Sequence, residues 1–400
     1  MTGAPQPSPF MLAPSPAPAH ANPVAPAVIR TLTPFSAPRV ALVHYWLVGM
    51  RGGERVLERI LHLYPDADIF THVCDPAALS DALRARPIRT SFIQKLPGAR
   101  RHYQKYLPLM PLALEQLDLS AYDLVLSSES GPAKGVIARP DACHLAYVHS
   151  PMRYLWDHYH DYRAPAGRLT RLMMPPLFHY LRGWDMASAA RVDRLLANSR
   201  FVRHRIARAW GREASVVHPP VQTGLYRPVD QPSARYLWVG QMIAYKQPEI
   251  VVQAFNRLRL PLLMVGDGDL FDRVRRLAGP TVEVVRRLDF TALRRAYAEA
   301  RALVFAAEED FGIVPVEANA SGRPVLAYGR GGVLDSLVPG ETGLFFAEQS
   351  AAAIVAGVEE MERWLPHFSP QAAVANASRF APETFDQAFR VAVDSAVAAK

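Results

Sequence analysis

Short apolar segments of strand length alternate with helical stretches over most of this chain, and they form two successive series. The first series begins at residues 39–45 and the second at residues 236–240, with the sequence His218-Pro-Pro-Val between them. Continuous apolar strands separated by helices are typical of parallel sheets that helices cover on both faces. The sequence therefore predicts two Rossmann-like, doubly wound α/β domains joined by a short link. Such sheets bind ligands at the carboxyl ends of their strands, so we expect a cleft between facing strand ends.

The predicted domain limits follow from these series and from composition. Residues 1–37 are rich in proline, alanine and serine and almost uncharged, so we expect a disordered extension there. Residues 38–218 and 219–380 would form the two domains, and residues 381–400 a terminal helix whose packing the sequence leaves open. Strands are predicted at 39–45, 68–73, 122–127, 144–149 and 194–198, and then at 236–240, 261–266, 282–285, 302–306 and 324–328.

Charge and cysteine content narrow the class of protein. The net charge of +8 suits phosphate-bearing substrates or an anionic membrane surface. Nucleic-acid binding is not expected, because zinc-finger spacing, an RNP-like motif and a basic heptad region are all missing from the sequence. Cys74 and Cys143 are predicted to be buried free thiols in a reducing compartment. With no bilayer-length apolar stretch and no secretory signal pattern, the expected location is the cytoplasm, with peripheral contact at the inner face of the plasma membrane as an option.

Two carboxylates, Glu309 and Glu317, bracket a seven-residue segment that follows the predicted strand at 302–306. Glu309 would lie in the strand-to-helix loop and Glu317 in the first helical turn. Between them the amides of Phe311, Gly312 and Ile313 would be free at a helix N-terminus, which favours an anion. The pattern fits a nucleotide-sugar site. The plainer alternative is that Glu317 only complements the helix dipole and Glu309 is solvated.

Other residues at predicted strand ends would complete such a site. Gly52 and Gly53 follow the first strand, where their lack of a Cβ lets backbone amides approach a diphosphate. Lys246 follows the first strand of the second series, where an ammonium would neutralise diphosphate charge. His149 is the last residue of the predicted strand at 144–149 and could orient a hydroxyl or share a proton. An ordinary turn, a solvated lysine and a structural histidine are the respective alternatives.

Together these segments resemble the retaining glycosyltransferases of family 4, over about residues 39–390. The resemblance rests on Glu309-x7-Glu317, the Gly-Gly-Glu sequence at 52–54, the Gly…Tyr-Lys motif ending at Lys246 and the His-Ser-Pro-Met-Arg-Tyr segment at 149–154. It implies the GT-B fold of two facing Rossmann-like domains. Residues 149–162 are similar to bacterial mannosyltransferases of the WbaZ type. That similarity implies transfer of a hexose, mannose from GDP-mannose, to a lipid-linked or saccharide acceptor in surface polysaccharide synthesis.

The same resemblance implies a role for each motif residue. Lys246 and Gln241, with the amides of Gly53 and of residues 311–313, would bind the donor diphosphate. Glu309 would hold the sugar hydroxyls, Glu317 the ribose and His149 the far side of the sugar. No cofactor or divalent metal is expected, because protein cations and amides would supply the electrostatic stabilisation. Gln241 departs from the arginine usual in the family, which places the strength of diphosphate binding in question.

The acceptor side is predicted from basic segments with interspersed apolar residues, at 84–105 and 163–182. Such segments could rest on anionic lipid and hold a lipid-diphosphate acceptor, although solvated helix faces have the same composition. The candidate acceptor residues are Arg100, Arg101, Lys105 and Arg153.

Two other classes of protein fit parts of the pattern. A phosphorylase of the same architecture would carry a lysine-bound pyridoxal phosphate, which its absorbance would reveal. A non-catalytic scaffold that binds a sugar nucleotide is compatible with Gln241 and would bind the donor without turnover.

Overall fold

The computed structural model describes residues 38–400 except Pro165. The predicted disordered extension, residues 1–37, lies outside the described residues. The described chain forms two parallel sheets, each flanked by helices on both faces. This arrangement confirms the predicted pair of Rossmann-like domains.

The first sheet contains seven strands within the described residues. They are β1 (Val40–His44), β2 (Asp68–Thr71), β3 (Ile88–Thr90), β4 (Leu124–Glu129), β5 (Cys143–Val148), β6 (Arg194–Ala197) and β7 (Ser215–Val216). Their order across the sheet is β3-β2-β1-β4-β5-β6-β7, all parallel. The helices of this part are α1 (Gly52–Leu63), α2 (Asp81–Arg84), α3 (Ala99–His102), α4 (Met110–Glu115), α5 (Tyr159–Arg163), α6 (Arg168–Ala190) and α7 (Arg200–Trp210).

The second sheet has six strands in the same part of the chain: β8 (Tyr236–Val239), β9 (Leu262–Val265), β10 (Val282–Val285), β11 (Leu303–Phe305), β12 (Val325–Tyr328) and β13 (Gly343–Phe346). Their order is β10-β9-β8-β11-β12-β13, again all parallel. The helices are α8 (Pro248–Leu258), α9 (Phe271–Leu277), α10 (Phe290–Glu299), α11 (Ile313–Ala320), α12 (Val333–Ser336), α13 (Ala351–Trp364), α14 (Pro370–Ser378) and α15 (Pro382–Ala398).

The sequence analysis does not predict three of the observed strands, β3, β7 and β13. β3 reads Ile-Arg-Thr and β7 only Ser-Val, so neither has the apolar run of a buried strand. β13 reads Gly-Leu-Phe-Phe and begins at a glycine, a residue that strands disfavour. Edge strands such as β3 need less apolar surface because one side lacks a neighbouring strand.

The strand order reverses at one point in each sheet, between β1 and β4 in the first and between β8 and β11 in the second. The segments after those strands diverge to opposite faces and leave a crevice. Gly52 and Gly53 follow β1, Lys246 follows β8 and Glu309 follows β11. The topology therefore brings the predicted donor residues to the two crevices.

Helix α15 returns from the second sheet to the first and completes its core. Phe385, Phe389 and Val393 are buried in the same apolar cluster as Val40 and Leu126. On the rim of this contact, Arg59 Nε donates to Asp386 Oδ1 at 2.6 Å. The packing that the sequence left open is thus an association of the last helix with the first sheet.

The remaining general expectations concern thiols and membrane spans. Cys74 and Cys143 are free and buried, as predicted. No helix within residues 38–164 or 166–400 is long and apolar enough to cross a membrane.

Candidate active site

Lys246 and Glu309 meet at the crevice of the second sheet. The Lys246 Nζ atom lies 2.6 Å from Glu309 Oε1, and the two side chains are only 16% and 17% exposed. Burial alone would lower the pKa of Lys246, but the neighbouring Glu309 carboxylate raises it. The ammonium therefore stays charged beside a carboxylate, so one group can meet phosphate oxygens and the other sugar hydroxyls.

The N-terminus of α11 presents free amides next to this pair. Gly312 precedes the helix with φ +88°, a left-handed conformation that favours glycine. Within residues 38–164 and 166–400, the amides of Phe311, Gly312 and Ile313 donate to no other group. Unpaired amides at a helix N-terminus form a site for a phosphate or another anion.

Glu317 lies in the second turn of α11, not in the first turn as predicted, because the helix already begins at Ile313. Its carboxylate is buried and accepts a hydrogen bond from the Tyr297 hydroxyl at 2.8 Å. Burial raises the pKa of Glu317, while hydrogen bonds from Tyr297 and Tyr226 partly oppose the shift. A charge complements the helix dipole within the first turn, so this position does not fit a role as dipole partner alone.

The Glu317 side chain also lines a cavity of about 500 Å³ in the cleft. The opposite wall comes from α1 and includes Arg55, and Phe290 and Ile313 supply apolar surface. A cavity with a carboxylate, an arginine and an aromatic ring has the groups that a nucleoside needs.

The glycine pair of α1 faces both α11 and the His149 side chain. A Cβ built on Gly53 would lie 2.4 Å from the Tyr45 hydroxyl and 3.6 Å from His149 Nε2, whereas one on Gly52 would lie 3.2 Å from Ile313 Cδ1. Position 53 thus excludes any side chain unless Tyr45 moves. The two glycines let α1 approach the second sheet's residues closely.

His149 is held as a neutral hydrogen-bonding group. Its Nε2 lies 2.9 Å from Ser128 Oγ. Burial lowers the pKa of His149 to about 3. Because the ring is neutral near pH 7, it can orient a hydroxyl but is a poor proton donor.

Arg153, predicted to meet an acceptor phosphate, forms an ion pair with Asp310 across the cleft. Arg205 joins them, with Nη1 2.6 Å from Asp310 Oδ1 and 2.7 Å from Ser150 Oγ. Burial would raise the pKa of Asp310, but the two arginines lower it. The sequence prediction missed Asp310 and Arg205. Asp310 lies inside the Glu309-x7-Glu317 motif, which could have singled it out, whereas no pattern marks Arg205.

The other predicted residues lie at the rim of the cleft. Gln241 is exposed just after β8, and its side chain makes no hydrogen bond within the described chain. Arg100 and Arg101 of α3 are exposed, as is Lys105. The ring of Tyr103 packs 4.7 Å from that of Trp46, shortly after β1, so this basic segment borders the same edge of the first sheet.

Models of two protein families match the chain, one in each domain. The model described as "Glycosyltransferase Family 4" matches residues 50–225, and the one described as "Glycosyl transferases group 1" matches residues 233–363. The fold and these matches define the class. The chain carries a family 4 glycosyltransferase domain at residues 50–225 and a group 1 glycosyltransferase domain at residues 233–363, on the GT-B fold.

Curated relatives within this class differ in substrate. The chain is 34% identical over 174 residues to the GDP-mannose-dependent alpha-mannosyltransferase of Mycolicibacterium smegmatis, covering 40% of this chain and 46% of that protein. It is 29% identical over 225 residues to D-inositol 3-phosphate glycosyltransferase 2 of Catenulispora acidiphila, covering 47% and 52%. The chain thus spans about half the length of the curated relatives it matches.

Solved structures share the fold at low identity. Sucrose-phosphate synthase from Thermosynechococcus elongatus superimposes with a TM-score of 0.67 at 19% identity, covering 91% of this chain and all of that one. Anabaena HepE in complex with UDP-glucose gives a TM-score of 0.65 at 18% identity, covering 89% and 99%. These similarities support the two-domain architecture.

Proposed function

We propose that the protein is a retaining glycosyltransferase that moves a hexose from a nucleotide diphosphate to a saccharide or lipid-linked acceptor. The observation that carries the proposal is the Lys246–Glu309 pair beside the free amides of α11, opposite His149. A cation and amides are arranged for a departing diphosphate, and a carboxylate and a neutral imidazole for sugar hydroxyls. Chemistry of this kind needs both domains, because His149 comes from the first and Lys246 from the second.

The proposed roles follow these positions. Lys246, Gln241 and the amides of residues 311–313 stabilise the leaving nucleotide diphosphate, and Glu309 holds the sugar. Glu317 accepts hydrogen bonds from the ribose, for which it retains lone pairs beside its tyrosine partners. The acceptor hydroxyl attacks from the leaving-group face and a donor phosphate oxygen takes its proton. These groups supply the charge stabilisation in place of a divalent metal or other cofactor.

The proposed donor is GDP-mannose, from which mannose is transferred. The proposed pathway is bacterial surface polysaccharide synthesis, as for mannosyltransferases of the WbaZ type. The support is the GDP-mannose-dependent relative named above and a second one, a GDP-mannose-dependent alpha-(1-6)-phosphatidylinositol monomannoside mannosyltransferase, 27% identical over 220 residues. The D-inositol 3-phosphate glycosyltransferases among the relatives favour a different acceptor, an inositol phosphate.

The test measures binding and turnover of GDP-mannose, UDP-glucose and UDP-N-acetylglucosamine by calorimetry and by release of nucleotide. We expect Lys246→Ala and Glu309→Ala to lower turnover by at least about 100-fold, as for loss of one group that stabilises developing charge. Lys400→Ala and the exposed Glu360→Ala serve as controls. Turnover near that of the wild type in either site variant would refute the assignment.

Other results would select among the alternatives. Preference for a UDP-sugar would support the transferase assignment but contradict mannose as the transferred sugar. Donor binding without hydrolysis or transfer would support the non-catalytic scaffold, and absorbance from a lysine-bound pyridoxal phosphate would support a phosphorylase.

We also propose that α6 rests on an anionic membrane that holds the acceptor. Leu169 and Leu172 are 74% and 71% exposed, and Met173 lies beside them. Arg168 and Arg171 occupy the same turns and are exposed. Exposed apolar side chains flanked by arginines suit a surface with apolar chains beneath anionic headgroups.

A further inference from the structure

A cavity of about 760 Å³ lies in the second domain, away from the cleft. Its lining residues include Arg301, two residues before β11, and Pro324, immediately before β12. The cavity is therefore at the amino-terminal edge of the second sheet, whereas Lys246 and Glu309 are at the carboxyl edge. Residues 228–232, on the link between the domains, and α14 form other walls.

The walls are mostly apolar. Pro228, Pro324, Phe368 and Val374 supply rings and methyl groups around the space. Mostly apolar walls with several polar side chains among them, here Asp230, Arg301, Arg323, Gln371 and Ser378, are the composition of a small-molecule site. Its polar groups therefore decide which ligand it would take.

Arg323 is the polar group of greatest consequence in this cavity. The residue is 96% buried. Even so, no carboxylate of residues 38–164 or 166–400 lies within 4.0 Å of its guanidinium. Nη2 donates to the Val229 carbonyl at 2.9 Å and Nε to the Ser321 carbonyl at 3.4 Å. A guanidinium has five donors, so these two bonds leave its positive charge and part of its donor capacity unmatched.

The other charged groups at the cavity do not compensate Arg323. Arg301 is itself neutralised by Glu362, with Nε 2.7 Å from Oε1. Asp230 is exposed at the rim, so its charge is screened by water. Burial without a counter-charge lowers the pKa of Arg323. A buried charge without a partner is costly, and an anion in the cavity would relieve that cost.

We propose that this cavity binds a small organic anion, with a carboxylate or phosphate group on Arg323 and a compact apolar body against Pro228, Pro324 and Phe368. The planar guanidinium matches both carboxylate and phosphate oxygens. The site is distinct from the donor cleft and does not depend on the proposed transferase activity.

The test titrates the full chain with phenyl phosphate, benzoate and the uncharged benzyl alcohol, in the presence of saturating GDP or UDP to fill the cleft. Binding is followed by calorimetry and by NMR. We expect one molecule of an anionic probe per chain, unaffected by nucleotide, and at least tenfold weaker binding of benzyl alcohol. A preference for phenyl phosphate would assign a phosphate ester and a preference for benzoate a carboxylate.

Two variants connect binding to this cavity. Arg323→Gln should weaken binding of the anionic probe at least tenfold. Arg363→Gln, at an exposed position on α13, is its control. Because a change at buried Arg323 could impair folding, Gln371→Trp at an exposed lining position provides a second means of blocking the space. Absence of anion binding, displacement by nucleotide, equal affinity for benzyl alcohol or binding unchanged in the Gln371→Trp variant would each overturn the proposal.

Discussion

At the scale of single residues, the cleft is defined by groups whose charge state is set by their neighbours. Lys246 is kept charged by Glu309, and Asp310 by Arg153 and Arg205, although all are largely buried. His149 has no such partner, and burial lowers its pKa to about 3. Partnered groups therefore supply charge to the cleft and the histidine supplies a neutral hydrogen bond.

His149→Gln tests this charge state. Because the imidazole with a pKa of about 3 is already neutral above pH 5, we expect the ratio of wild-type to variant turnover to be constant between about pH 5 and pH 8. Initial rates of nucleotide release across that range provide the measurement. A ratio that changes around pH 6.5 would show that His149 titrates normally and would contradict the neutral role.

Buried neutral histidines also give the fold an acid limit. The pKa values of His72 and His149 are lowered to about 3 and that of His144 to about 4, in each case by burial. In the unfolded chain these rings bind protons below about pH 6.5, whereas in the folded chain they stay neutral to a much lower pH. The free energy of unfolding is therefore highest above about pH 6.5 and decreases as the pH falls below it. Urea titrations at about pH 7 and about pH 5 should show the loss. Equal midpoints at both pH values would contradict it.

At the scale of elements, the loop before α11 connects the domains as well as shaping the site. Asp310 forms ion pairs with Arg153 and Arg205. Asp335 of α12 accepts a hydrogen bond from the backbone N–H of Arg200 at 2.6 Å. Both aspartates belong to the second domain and their partners to the first. The loop that holds Glu309 is thus fixed by ion pairs to the first domain.

Asp310→Ala should therefore disturb both stability and closure. Removing Asp310 leaves the buried Arg153 without a counter-charge and Arg205 with only the partly exposed Asp157, and we expect a loss of about 3 kcal/mol in the free energy of unfolding. Asp157→Ala is the matched control, because Asp157 also binds Arg205 but is 45% exposed, and its loss should stay below about 1 kcal/mol. Urea unfolding provides the measurement. Equal losses in the two variants would contradict the cross-domain role of Asp310.

Helix α6 carries the second prediction at this scale. Replacing Leu169 and Leu172 together with glutamate should reduce sedimentation with phosphatidylglycerol vesicles by at least about tenfold, since it removes apolar insertion and adds repulsion. The same change at exposed Val391 of α15 is the control. Phosphatidylcholine vesicles should bind little of any form. Unchanged sedimentation of the α6 variant would refute the membrane proposal.

The sequence predicted the elements that are apolar throughout and missed those that depend on neighbours. β10 was predicted with its observed bounds because Val282-Glu-Val-Val is a compact β-branched run. The approach of Lys246 to Glu309 was expected from the strand ends at a switch point. The pairing of Arg205 with Asp310 and of Tyr297 with Glu317 depends on how helices and domains pack, which periodicity does not encode.

At the scale of the whole molecule, α15 makes the first domain dependent on the end of the described chain. The Tyr147 ring of β5 lies 5.7 Å from Phe385 and 6.3 Å from Phe389, so α15 seals the core beside the sheet. Just before this crossing, the Val221 N–H donates to the Phe380 carbonyl at 2.8 Å, a bond within the second domain. The first domain therefore includes a helix that follows the second domain in the sequence.

Phe389→Ala tests this dependence. Phe389 is fully buried, and loss of a buried phenyl ring costs about 3–5 kcal/mol. Val391→Ala, at a position 60% exposed on the same helix, should change stability by less than about 0.5 kcal/mol. Urea unfolding followed by hydrogen exchange of β1 and β5 amides would locate the effect. Protection of those strands equal to the wild type in the Phe389 variant would contradict the role of α15 as part of the first core.

The return of α15 to the first sheet also has a consequence for biosynthesis. Domains generally fold as units while the ribosome is still elongating the chain, the N-terminal one first. Here the face of the first sheet that α15 covers stays open until residues 382–398 have been translated and have left the exit tunnel. During that interval the second domain is already being made, and the uncovered apolar surface of β1 and β5 is available to chaperones or to other nascent chains. For this protein, completion of the first domain therefore waits until the second domain has been translated.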